Sequence, residues 1–259
     1  MEAQVSAQSV TVEFPIYENS NRSFKKRVLN FTTGGYIGQD AGKFPIVRAL
    51  DNLSFNFQHG ERVGLVGHNG SGKTTLLRML SGVYAPIRGE LRIRGKIASL
   101  LEVSTGVDPD ATGFENIYLR GIMSGMKPAE IRAKTNEIAE FTELGDYLNL
   151  PVRTYSSGML VRLSFAISTH VEADILLMDE WLSVGDADFK SKAAARLETL
   201  VDSASILVIA SHDPKLIERI CTRRVHLEHG RILSDEPLER RNDAGNIRQN
   251  ADTLIKPAA

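Results

Sequence analysis

A single cysteine, Cys221, stands in a chain of 259 residues. It cannot close an intrachain disulfide, and it reads as a small core residue of a protein from a reducing compartment. Long apolar runs are missing too, and no stretch approaches the length needed to span a bilayer. The opening Met1-Glu2-Ala3-Gln4 lacks the basic and apolar character of a signal peptide. Charge of one sign is not in excess: 31 Lys and Arg face 32 Asp and Glu, for a formal net charge of −1. Nothing pulls the whole molecule toward nucleic acid, and none is expected as a partner. There is no internal repeat. What remains is ordinary for a globular protein, with 42% hydrophobic and 24% charged residues. The length is near the upper end for one domain on one core.

Against this plain background one stretch carries chemistry. Gly67-His68-Asn69-Gly70-Ser71-Gly72-Lys73-Thr74 satisfies the G-x-x-x-x-G-K-[ST] phosphate-binding loop at every defined position. The apolar run Arg62–Val66 before it reads as a strand, and the segment from Thr75 to Leu80 after it has helical spacing. The glycines let successive backbone N–H groups converge on phosphates, and the helix N-terminus adds its partial positive charge. Lys73 is placed to reach the β- and γ-phosphates, and the Thr74 hydroxyl to ligate Mg2+. Gly67 through Thr75 are thus the candidate nucleotide contacts, and the loop alone does not say which triphosphate is bound.

A second apolar strand, Asp174–Asp179, ends in the paired acids Asp179 and Glu180. Strand tips of this kind are where ligands bind in open α/β sheets. Asp179 is assigned to the metal, directly or through water, and Glu180 to polarising the attacking water. A third apolar strand, Ser205–Ala210, leads into Ser211-His212-Asp213. Alone, His212 reads as a surface-loop histidine. Behind a phosphate loop and a double-acid strand it reads as a γ-phosphate sensor. These are the general needs of phosphoryl transfer, positioning and electrostatics with little covalent work.

Tyr155-Ser156-Ser157-Gly158-Met159 opens the apolar helix Leu160–Thr169. In this order, the motifs resemble those of ATP-binding-cassette (ABC) ATPases, whose Leu-Ser-Gly-Gly-Gln signature occupies the same place. The resemblance covers about residues 9–235. It implies a P-loop NTPase (RecA-like) α/β core, a flanking antiparallel β-subdomain and an inserted α-helical subdomain over about 104–165. It also implies a head-to-tail dimer in which Ser156, Ser157 and Gly158 cap ATP held by the partner. Small hydroxyl donors, a glycine and a helix N-terminus suit that task.

The spelling is narrower than the superfamily. Tyr-Ser-Ser-Gly-Met, the Thr112-Gly113-Phe114-Glu115-Asn116 segment and Asp179-Glu180-Trp181-Leu182-Ser183-Val184-Gly185-Asp186 resemble the ATPase subunits of bacterial polysaccharide exporters. Those move O-antigen, capsule or teichoic-acid chains. The resemblance implies two chains with two membrane permease subunits, a lipid-linked polysaccharide as cargo, a peripheral place on the cytoplasmic face of the inner membrane, and Asp186 among the nucleotide contacts. The alternatives are export of teichoic acid or another substrate, or a soluble ABC-type ATPase acting on nucleic acid or the ribosome. The last usually carries coiled coils or two cassettes, and this chain has neither. There are departures. Where many relatives have a glutamine on the metal side, this chain has Glu102, a stronger Mg2+ ligand than an amide. The adenine-stacking aromatic is assigned to Phe44, with Tyr36 as runner-up; such a stack is worth about 1–3 kcal/mol. Trp181 replaces a usually smaller residue.

Along the chain, Val10–Phe14, Leu50–Phe57 and Glu90–Lys96 alternate as strands of the small antiparallel sheet. Phe114–Met123 and Pro128–Leu144 read as helices, the latter with Pro128 in its first turn. Arg22, Lys25, Lys26 and Arg27 form a basic patch in a polar stretch. It is either a solvated face or an element facing the inner leaflet or the pyrophosphate head of a lipid-linked glycan, worth about 1 kcal/mol per charge near anionic lipid. From about Ser234 the chain turns polar and reads as a poorly ordered tail over 236–259, without a carbohydrate-binding β-sandwich. That absence points to an exporter that does not read a terminal glycan cap.

Overall fold

The computed structural model describes residues 2–16, 36–39, 45–101, 105–180 and 187–238. They fall into two compact units. The first draws on Met1–Gly95, Leu177–Glu180 and Ser205–Arg240, and the second on Lys96–Leu176 and Trp181–Ala204.

In the first unit, β1 (Gln4–Pro15), β2 (Tyr36–Gln39), β3 (Pro45–Gln58) and β5 (Arg88–Arg94) form an antiparallel sheet ordered β2-β3-β1-β5. β1 begins earlier than its alternating core Val10–Phe14, at Gln4, where Val5 and Ala7 already face inward. The second sheet of this unit runs β10-β9-β4-β8-β7. Its members are β4 (Arg62–Val66), β7 (Ile175–Asp179), β8 (Ile206–Ala210), β9 (Arg223–Glu228) and β10 (Arg231–Pro237). β4 pairs in parallel with both β8 and β9, and β10 closes the edge antiparallel to β9. All five residues of β8 are buried, as are Val63 to Leu65 of β4. Continuous apolar runs are what strands covered on both faces require. Helix α1 (Lys73–Leu80) follows the phosphate loop and buries Leu76, Leu77, Met79 and Leu80.

The β9–β10 hairpin was not read from the sequence. Glu228 pairs with Arg231, so the loop is the two residues His229 and Gly230, with φ of 47° and 74°. Two positive φ values in a two-residue loop make a type I′ turn, whose twist matches that of the flanking strands. β10 also corrects the expectation of a tail from Ser234, since Ser234 to Pro237 are paired strand. Their polar side chains suit an exposed edge. Residues 239–259 lie outside the described residues, as does the basic patch at 22–27.

The second unit is mostly helical: α2 (Gly113–Met123), α3 (Pro128–Thr142), two short 3-10 turns at Gly145–Asn149 and Val152–Thr154, α4 (Ser157–Thr169) and α5 (Ala187–Ser203). The helices expected at Phe114–Met123 and Pro128–Leu144 are present with shifts of one or two residues. β6 (Ile97–Ser99) belongs here, and Lys96 O accepts from the N–H groups of Asp174 and Ile175, each at 2.9 Å. Ile117, Ile131, Ile138, Leu163 and Ile167 centre one cluster. Phe141, Phe165 and Phe189 pack with ring centroids 5.7 to 6.1 Å apart. Arg162 and Lys192 lie over two of these rings while both bind Glu143. Together they hold down the C-terminal end of α3.

Candidate active site

Backbone demands explain the glycines of the loop. Gly67 has φ 147°, and a Cβ there would stand 2.2 Å from the Leu227 carbonyl oxygen. Gly72 has φ 109°, with the Ala49 carbonyl oxygen 2.9 Å from the same virtual atom. No side chain but glycine's fits a left-handed residue pressed against another strand. Gly72 is also the N-cap of α1 and offers no side-chain cap. The helix thus presents its first N–H groups and positive end to the loop.

Lys73 is buried to 7% exposure. Its ammonium donates to Gly67 O at 2.7 Å and His68 O at 3.2 Å, which curls the loop around it. Burial pulls its pKa below the ordinary lysine value, and the Asp179 and Glu180 carboxylates oppose that pull. Ser71 N donates to His68 O at 3.1 Å, and Gly230 N donates to Ser71 O at 2.9 Å, so the hairpin turn braces the loop. Among the described residues, the wholly buried Ser71 hydroxyl has no hydrogen-bond partner.

The strand tips of this unit complete the arrangement. Thr74 Oγ1 donates to Asp179 Oδ2 at 2.6 Å, across 105 positions of sequence. A hydroxyl and a carboxylate side by side at the mouth of a phosphate loop are hard oxygen donors of the kind Mg2+ accepts. Glu180 is exposed and has φ 75°, a left-handed backbone that a long side chain rarely adopts. Its N–H donates to Ala210 O at 2.8 Å, which ties the turn after β7 to the end of β8. His212 Nε2 stands 3.9 Å from Glu180 Oε1. The neighbours of His212 are locked: Asp213 caps α6 (Pro214–Ile220) through Lys215 N, and Asp213 N donates to Ser211 Oγ. The paired acids and the histidine thus sit together at the tips of β7 and β8.

In the second unit Ser156 is the N-cap of α4, its Oγ accepting from Met159 N at 3.2 Å. The hydroxyl keeps its own hydrogen to donate outward. Ser156, Ser157 and Gly158 are all exposed. A Cβ on Gly158 would meet only Ser156 Oγ, at 3.9 Å. The packing of this chain therefore does not require glycine there. Tyr155 by contrast is structural: its hydroxyl donates to Tyr147 O at 2.7 Å and blocks any Cβ on Gly113. Thr112-Gly113-Phe114-Glu115-Asn116 has a structural explanation too. Thr112 and Glu115 form a capping box on α2, which holds the Glu115 carboxyl below its ordinary pKa. Buried Asn116 accepts from Asp108 N and donates to the Asp108 and Thr112 carbonyls.

Comparison with known proteins gives the family. The family model described as ABC transporter matches residues 50–183. The O-antigen export system ATP-binding protein RfbE of Yersinia enterocolitica is 44% identical over 88% of this chain and 95% of its own length. The chain belongs to the ABC transporter family. The teichoic acids export ATP-binding protein TagH of Listeria monocytogenes is 38% identical, with 88% of this chain and 65% of that one covered. The O-antigen export protein RfbB of Myxococcus xanthus is 40% identical, and the cassette spans 47% of its length. In fold, the cassette is similar to a dimeric ATP-binding cassette solved in a post-hydrolysis state with ADP and Pi, at TM-score 0.64 and 22% identity over 91% of this chain and 99% of that one.

Of the residues named from sequence, the structure brings Gly67 to Thr75, Asp179, Glu180 and His212 into one constellation of the first unit. Ser156, Ser157 and Gly158 stand together at the start of α4. Phe44, Glu102, Trp181 and Asp186 lie outside the described residues, and of Tyr36 only the backbone pairing is described. Sequence reasoning missed Glu228, His229 and Gly230, which touch the loop from far along the chain. The one available signal was the His-Gly pair between alternating runs, a hairpin signature.

Proposed function

We propose that this ABC-type ATPase binds ATP with Mg2+ at the loop of Gly67–Thr75, acts as a head-to-tail dimer, and drives a lipid-linked polysaccharide through a separate membrane permease. The observation that carries the reading is the Thr74–Asp179 contact of 2.6 Å at the mouth of the phosphate loop. It joins the two oxygen donors a metal–phosphate complex needs, from two distant motifs. Lys73 binds the phosphates from inside the loop, where burial strengthens its charge–charge contacts. Thr74 and Asp179 hold Mg2+, which when bound neutralises charge on the β- and γ-phosphates. Glu180 accepts a proton from the attacking water, and His212 hydrogen-bonds the γ-phosphate beside it. Ser156, Ser157 and the N-terminus of α4 close over the nucleotide of the partner copy.

No described helix is long and apolar enough to cross a membrane. One feature of the second unit supports a membrane partner: α2 exposes Phe114, Tyr118, Leu119, Ile122 and Met123, the last at 73%. Their spacing places them along one apolar stripe, which suits burial against another protein. O-antigen is the favoured cargo and teichoic acid the alternative, on the names of the relatives. The cassette then works at the cytoplasmic face of the inner membrane. The direct test is ATP hydrolysis by the purified chain with and without Mg2+. Activity that disappears with EDTA and returns with Mg2+ is expected; metal-independent hydrolysis overturns the assignment of Thr74 and Asp179.

A further inference from the structure

At the edge of the phosphate loop lies a second group of donor side chains, to which the proposed hydrolysis assigns no proton-transfer or Mg2+-binding role. His68 in the loop and Glu228 and His229 at the β9–β10 turn each offer one ligand atom, and these three atoms lie within 4.8 Å of one another. The two imidazole rings are 5.0 Å apart between centroids. We propose that His68, Glu228 and His229 form a binding site for a borderline transition-metal cation, Zn2+ foremost, that clips the phosphate loop to the hairpin.

The donor chemistry selects the ion. Two imidazoles and one carboxylate suit Zn2+ and are unlike the all-oxygen shell of Mg2+. The Thr74–Asp179 pair and this site therefore take different metals. Orientation supports the choice. His68 Nδ1 lies 2.8 Å from Asn69 O. A carbonyl oxygen only accepts, so Nδ1 carries the hydrogen and Nε2 keeps its lone pair. A carbonyl that accepts from the other ring nitrogen and fixes the tautomer in this way is the usual support of a zinc-bound histidine. Donors on one tetrahedral zinc stand about 3.4 Å apart, given metal–ligand distances of about 2.1 Å. All three side chains are exposed, so small rotamer adjustments close the gap without disturbing the core. The hairpin is itself well placed to act as a clip. Gly230 N already donates to Ser71 O, and Arg231 anchors the turn to Asp51 at 2.5 Å.

The experiment titrates Zn2+ alone into the full-length, chelator-washed, nucleotide-free protein by calorimetry, with thermal unfolding in parallel. The variants are His229→Asn and Glu228→Gln. Asparagine accepts the left-handed backbone of position 229, and neither side chain belongs to the hydrolytic machinery. In chelating buffer both variants should melt like wild type. Wild type should bind one equivalent and gain thermal stability, as any ligand of the folded state confers. Each variant should bind at least about ten-fold more weakly and lose that gain, since even removing a group that only hydrogen-bonds a metal ligand costs this much. Saturating Mg2+ should leave the zinc isotherm in place. No uptake by wild type at about ten equivalents overturns the proposal. So does equal binding by both variants, which would put the metal elsewhere.

Discussion

At the scale of single residues, the backbone of Glu180 is held in the left-handed region, at φ 75°, in the candidate active site. The bond from its N–H to Ala210 O keeps it there. Strain of about 1–3 kcal/mol persists only where the surroundings over-determine it, and here it lifts the carboxylate out beside His212. Glu180→Gln keeps this backbone and removes the base. ATP binding should persist while turnover falls by at least about 100-fold, the lower range of general-base effects. The check is steady-state hydrolysis with nucleotide affinity on the same preparation. Retention of more than about a tenth of wild-type turnover would remove Glu180 from the role of base. The residue identities at this site were legible because each motif places its chemistry at a fixed spacing from a strand. The strained φ and the Thr74–Asp179 contact were not legible, since both depend on which strand tips the fold makes adjacent.

At the scale of elements, α4 carries the signature and explains why its first residues remain available. Ser156 spends a lone pair on capping and keeps its hydrogen, and Gly158 meets nothing in its own chain but that same oxygen. Ser156→Asp preserves the cap, because aspartate caps as well as serine, while placing a negative charge where the proposed head-to-tail dimer puts the partner copy's γ-phosphate. That variant and Lys73→Ala should each be inactive alone. Mixed in equal amounts, random pairing gives heterodimers with one intact site, and about a quarter of wild-type activity should return if sites act independently. Should none return, crosslinking Ser156→Cys to Ser71→Cys under ATP decides the matter: a crosslink means coupled sites, and none means the head-to-tail geometry is wrong. Other elements were less legible. The strand β9 interleaves arginine and histidine with Val225 and Leu227, so its apolar alternation is masked by charge. The helix α5 has an apolar stripe, Phe189, Ala193, Leu197 and Val201, all buried at a spacing of four. In the linear sequence Lys190, Lys192, Arg196 and Glu198 fall between these positions and mask the stripe.

At the scale of the whole molecule, none of the described helices is long and apolar enough to cross a membrane, and the proposed export couples hydrolysis to a separate membrane permease. The order of phosphate loop, signature and double acid was readable from sequence, because those motifs carry their own physical requirements. The resemblance implied a helical subdomain over about 104–165, but the wider bounds of the second unit, Lys96–Leu176 with Trp181–Ala204, were not legible, since they depend on contacts between residues distant in sequence. The decisive measurement is surface polysaccharide in a strain deleted for this gene and complemented with either wild type or Glu180→Gln. Wild type should restore the surface polymer, while Glu180→Gln should leave it absent and lipid-linked chains accumulated inside. Normal surface polymer with the hydrolysis-dead chain would contradict the account, because export would then run without the ATPase proposed to drive it.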